Sequence, residues 1–188
     1  MSWAKLYARS RQVPVALLLM AVCTVGMRVL VRDRWSVVFA ELTLAAGIAV
    51  AAAGLSGQDL DLDRTAAFGW LPRRFGHLLL IGVLAAALLL VVQAPGPVQV
   101  ETSVVLRDGA GLLGLAGLAA TLFGGQFGWT FPLLWAIVAL FVPGGGDSTA
   151  ALVAGWPVQS AESPVAWWTA GILFGAGTAG YAVAGARR

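Results

Sequence analysis

Three properties of this 188-residue sequence predict an all-α integral membrane protein, a single bundle of six transmembrane helices over residues 1–188: its apolarity, the length of its apolar runs and the placement of its charges. Hydrophobic residues make up 59% of the chain and charged residues 11%, with a mean hydropathy of +0.84, where an average soluble domain is roughly 25% charged. The apolar residues fall into runs near the about 20 residues that a helix needs to cross a bilayer. Lys and Arg sit at the ends of those runs and form no basic face. The net charge of +3 and the pI near 9.8 therefore speak for membrane topology and against nucleic acid.

The elements follow in order. Residues 1–12 set Trp3, Leu6 and Tyr7 against Lys5, Arg9 and Arg11, the pattern of a short interface segment lying on the cytoplasmic leaflet. The first span is expected at Val13–Val31, with Pro14 in its first turn, where a missing N–H costs nothing. It reads as a retained span, because Val22 is too large to precede a lipoprotein Cys23 and no small-x-small cleavage site comes before "RDR". Further spans are expected at Val37–Leu55, Gly76–Ala94, Asp108–Gly124, Gln126–Val142 and Val165–Ala184. The fourth and fifth are short and Gly-rich, joined through "GGQFGWT", whose "GGQ" reads as a tight turn; five spans is the alternative count.

With an even count, Lys5, Arg9, Arg11, Arg64, Arg73, Arg74, Arg187 and Arg188 share one side. The positive-inside rule makes that side cytoplasmic and puts both termini there. The other side carries Arg32, Arg34 and Arg107, with Arg28 near it, balanced by Asp33, Glu101, Asp108, Asp147 and Glu162.

The largest inside loop, residues 56–75, is the longest polar passage. Asp59, Asp61 and Asp63 have the spacing that opens a calcium loop, but Arg64 stands where that loop needs Gly and Trp70 where it needs Glu, which excludes calcium. The preferred reading is a short helix capped by Asp61 or Asp63, running through "RTAAF" and stopped by Gly69 and Pro72. The alternative is a solvated loop whose Arg73 and Arg74 hold the next helix at the headgroups.

Lys5 is the sole lysine and no phosphate-loop motif can be written, so ATP hydrolysis on this chain is excluded. His77 and Cys23 are also alone of their kinds, and neither a multi-His metal cluster nor a Ser-His-Asp triad is assembled; interfacial packing is the reading for His77. Arg28 and Glu41 fall at similar depth on neighbouring antiparallel spans and predict an intramembrane ion pair. The alternative is Glu41 as the carrier group of a proton-coupled transporter, with Asp108 and Arg107 as its nearest support.

Gly171, Gly175 and Ala179, and the Gly-rich "GAGLLGLAGLAA", predict close helix contact, either within the bundle, the commoner case, or between subunits. Trp3, Trp35, Trp70, Trp129, Trp156, Trp167 and Trp168 read as headgroup anchors. The long outer loop, 143–164, holds the apolar island "STAALVAGW", which admits a half-inserted helix.

The order of features resembles a type-2 ABC exporter permease, and "LDRTAAFGWLPRRFGHLLL", "LRDGAGLLGLAGLAATLFGGQFGWTFPLLWA" and "GWPVQSAESPVAWWTAGILFGAGTAGYAVAGARR" resemble segments of small actinobacterial membrane subunits that work with ABC ATPases. The resemblance implies a transport subunit of the plasma membrane that is not itself an enzyme. It holds no cofactor, since ATP and Mg belong to a separate ATPase, and a second permease chain, identical or not, completes the assembly among membrane lipids. The loop carrying Asp59, Asp61, Leu62, Asp63, Arg64, Phe68 and Trp70 would then be the coupling helix that docks on the ATPase, and Lys5, Arg9 and Arg11 would belong to the interface segment. Compact fourth and fifth spans depart from the family pattern and favour an amphipathic peptide, drug or lipid-like cargo over a polysaccharide. A non-transporting scaffold or regulatory subunit is the alternative from another class. A proton-coupled transporter would show an inverted repeat, and none is visible.

Overall fold

The computed structural model describes residues 13–55, 71–142 and 148–186; all regular structure among them is helical, with no strand. The helices are α1 (Val13–Leu30), α2 (Val37–Ala52), α3 (Leu71–Gln93), α4 (Thr102–Phe123), α5 (Thr130–Phe141), the six-residue α6 (Thr149–Ala154) and α7 (Pro164–Ala184). Each expected span thus corresponds to a helix. Two of these, α3 and α4, are long and apolar enough to cross a membrane, whereas the apolar stretches at α1, α2 and α5 are shorter. The expected fourth segment starts too late, because α4 begins at Thr102 and carries Arg107 and Asp108 inside the helix. Arg107 is accordingly a buried core residue and not the outer-side topology charge expected of it.

Two helices form the centre. α2 packs against α1, α3, α4 and α5, while α4 packs against α2, α3, α5 and α7. Their buried faces are rich in Ala, Gly and Leu, which bring backbones close and leave little volume between them. The outer helices turn large apolar side chains away from the bundle, including Leu18, Val22 and Val29 of α1, Val83 and Val91 of α3, Phe141 of α5, and Trp168 and Val183 of α7. Soluble monomers rarely expose contiguous apolar surface on this scale.

Thr hydroxyls inside these helices return to the carbonyl four residues earlier: Thr24 donates to Met20 O at 2.9 Å, Thr43 to Phe39 O at 2.6 Å and Thr121 to Gly117 O at 2.7 Å. Each hydroxyl thereby satisfies itself without a partner from another helix.

The contact between α4 and α7 is the most intimate. A Cβ on Gly177 would fall on the carbonyl of Gly114, one on Gly114 would fall on the carbonyl of Leu173, and one on Gly117 would lie 2.5 Å from the Gly177 oxygen. The Gly-rich face expected on α4 is therefore in use. The one expected on α7 is not: a Cβ on Gly171 or Gly175 would meet nothing within 4 Å, and Ala179 is exposed. Gly177 lies between those positions on the other side of the helix, so within this chain it is Gly177, and not the four-residue series, that meets α4.

Successive helices run antiparallel, which gives the bundle two ends. At the near end, α4 stops at Gly124, whose φ of 104° favours glycine, and the Gly125–Phe127 turn expected from "GGQ" follows. Gly128 then packs on Ala52 and Leu55, and Tyr181 donates its hydroxyl to Leu55 O at 3.3 Å. The end of α2, the start of α3 and the end of α7 meet there, with Gly185 against the Arg74 guanidinium. At the far end lie residues 31–36, the 94–101 connection and the segment 148–163. Gln93 closes the 94–101 connection by donating to Val100 O at 2.9 Å while accepting from Val100 N at 3.1 Å.

Gly177→Ala should lower stability by about 2 kcal/mol, since a methyl there forces two backbones apart. Gly171→Ala should leave it within about 0.5 kcal/mol. Thermal unfolding of both variants in the same detergent compares them.

Candidate functional site

Polar groups concentrate inside the far end. Arg107 and Asp108 are adjacent on α4, only 1% and 2% exposed, and the Arg107 Nε donates to Asp108 Oδ1 at 2.7 Å. The rest of the guanidinium fork reaches across the bundle: Nη1 donates to Ser160 O at 2.7 Å and Nη2 to Gln159 O at 3.0 Å. Planar, five-donor geometry lets one side chain serve a carboxylate and two carbonyls together, which an ammonium group does poorly.

The segment that Arg107 holds is built by local rules. Ser148 caps α6, accepting from Ala151 N at 3.2 Å, and the chain turns at Gly155 into the short helical turn Trp156–Val158. Trp156 is fully buried, with its ring against Gly111 of α4, where any side chain would collide with it. Gln159 donates to Leu152 O at 2.5 Å and accepts from the Ser163 hydroxyl, and Ser163 also caps α7 by accepting from Ala166 N at 3.3 Å. Trp135 of α5 adds a bond to Ala154 O at 3.0 Å. The apolar island is thus a short helix followed by a turn that tucks into the bundle. Trp156, and likewise Trp35 at 6% exposure, are core residues and not headgroup anchors, whereas Trp129, Trp167 and Trp168 remain outside.

Glu41 of α2 completes the cluster. It is 2% exposed, and both of its carboxylate oxygens are buried without a hydrogen-bond partner. Its electrostatic neighbours are Asp108 and Arg107. The expected Arg28–Glu41 pair does not form. Arg28 instead donates to Arg32 O at 3.0 Å, lies over the Trp35 ring at 5.2 Å and packs beside Gly96. The end of α1 carries Arg28 to the connections at the bundle's far end, while Glu41 turns inward to α4.

The other expected site residues, Lys5, Arg9 and Arg11 and the group Asp59, Asp61, Leu62, Asp63, Arg64, Phe68 and Trp70, lie outside the described residues. Residues 56–70, however, are bracketed by Leu55 and Leu71 at the near end. His77 lines a small crevice with Ala16, Met20, Ala51 and Leu80.

Reasoning from sequence missed Arg107 as an anchor, and with it Gln159 and Ser163. A signal was present in the helical spacing of Val104, Val105, Asp108 and Leu112, all buried, which extends α4 backwards through Arg107. No protein-family model, no curated protein and no solved structure matches this chain.

Chemically, the cluster offers two carboxylates and one fixed guanidinium in a water-poor interior. Among the described residues no group of three or more His, Cys, Asp or Glu gathers as a metal ligand set. Removing Arg107 would strand Asp108 and free two carbonyls. Arg107→Met should therefore cost about 4 kcal/mol of stability and open Thr149–Ser163 to protease, with Arg107→Lys restoring only part. Unfolding and limited proteolysis in detergent measure both effects.

Proposed function

We propose that this chain is the membrane-spanning permease subunit of an ATP-driven exporter, with six spans, both ends in the cytoplasm, and ATP hydrolysed on a separate ATPase chain. The observation that carries the reading is the arrangement of the near end. The end of α2 and the start of α3, which bracket residues 56–70, meet the end of α7 there, beside Arg73 and Arg74. An even-numbered antiparallel bundle whose basic end also holds its largest polar loop is what a subunit docking on a cytoplasmic motor requires.

Other features support the same reading. The outward apolar surface suits lipid, and α3 and α4 have the length and composition of spans. The shorter α1, α2 and α5 cross with help from flanking turns or a locally thinner bilayer. The missing phosphate loop fits a division of labour in which the partner supplies ATP and Mg. A second permease chain completes the pathway, which carries an amphipathic peptide, drug or lipid-like cargo, and rocking of the bundle alternates access.

Purification from native membrane in mild detergent, followed by mass spectrometry, tests the reading. A stoichiometric ATPase bearing a phosphate loop is the expected companion; recovery of the chain alone, or with a complex lacking an ATPase, would remove the energy source and leave a scaffold. In the same assay Asp63→Arg combined with Phe68→Arg should abolish ATPase recovery while membrane insertion stays intact.

A further inference from the structure

Glu41 presents an unresolved charge balance. Asp108 is matched by Arg107, whose Nε, Nη1 and Nη2 are committed to Asp108, Ser160 O and Gln159 O. Glu41 lies beside them with both oxygens buried and unbonded. Two carboxylates and one guanidinium leave one negative charge without a counter-charge, in surroundings where an isolated charge is costly.

Among the described residues, the charged groups acting on Glu41 are Asp108 and Arg107 alone. α4 faces Glu41 with Arg107 and Asp108. On α1 the charged residue is Arg28, held at Arg32 O and the Trp35 ring. α5, α6 and the Trp156–Val158 turn carry no titratable side chain. The titratable residues of α3, Arg73, Arg74 and His77, sit in its first turns at the opposite end. A divalent metal would overshoot the deficit, and no third His, Cys, Asp or Glu joins the pair among the described residues.

The geometry points to a binding site at Glu41, beside Asp108, for one small monovalent cation, either a proton or a sodium ion. Occupancy of the site bears on the far end, because an emptied, negative Glu41 competes for the guanidinium that anchors Gln159 and Ser160. The site is therefore linked to the seating of residues 148–163. This inference does not depend on an ATPase partner.

The test uses the purified full chain in lipid nanodiscs, with Glu41→Gln as the matched variant, and follows carboxyl and carboxylate stretches by difference infrared spectroscopy. One titration replaces choline chloride with sodium chloride at constant ionic strength; another varies pH in choline chloride. A sodium-sensitive carboxylate band amounting to one ion per chain, absent from Glu41→Gln, identifies a sodium site. One protonated carboxyl band per chain near neutral pH, insensitive to sodium and absent from the variant, identifies a proton site. Identical wild-type and variant behaviour in both titrations overturns the proposal. Should Glu41→Gln fail to fold, the wild type decides alone: neither a protonated carboxyl band near neutral pH nor a sodium response overturns it equally.

Discussion

An apolar bundle has no water to lend its buried polar groups, so partners must come from within the chain, and at the far end Arg107 supplies three of them. Its guanidinium joins Asp108 on the same helix to the carbonyls of Gln159 and Ser160, some fifty residues further along. Trp156 can then fill the space over Gly111, and Ser163 can start α7 in the place where its glycines meet α4. Without that fork the segment before α7 would carry the Gln159 carbonyl unmet into the core, at a cost of about 1–3 kcal/mol, and would lose its hold on Ser160 O at the exposed edge.

Several other polar groups are handled locally. Threonines bond back within their own helices, Gln93 brackets its own connection, and Trp167 donates to Ala161 O at 2.8 Å. These local bonds are satisfied before helices meet. Glu41 is a buried carboxylate that neither its own helix nor a neighbour provides with a donor, and the indole N–H groups of Trp35 and Trp156 and the Nε of Arg28 are likewise buried without an acceptor.

Much of this was legible in the sequence. Since burial in the bundle and exposure on its surface both demand apolar side chains here, apolar runs located every long helix, although α3 and α4 begin well before the expected Gly76 and Asp108, at Leu71 and Thr102. The "GGQ" turn was also visible, because Gly124 adopts a backbone that few other residues tolerate. What stayed hidden was orientation around each helix axis. When both faces are apolar, periodicity no longer separates inside from outside, and the α7 glycine that meets α4 is Gly177, outside the four-residue series. Arg107 was misplaced by the rule that charges end spans, which fails where a charge finds a carboxylate and two carbonyls within reach. Glu41 was recognised as buried, but its partner was assigned by depth alone, and depth says nothing about which neighbour a side chain faces.

The glycine contact between α4 and α7 has a mechanical consequence. Backbone set against backbone, with no side chain to act as a bearing, resists both sliding and rotation, so these two helices behave as a single stave. α3 is different. It borders an open apolar groove lined by Gly82, Ala86, Gly109, Leu113 and Phe174. An opening along that groove would swing α3 away from the α4–α7 stave about the point near Arg74 and Gly185, where the start of one helix meets the end of the other.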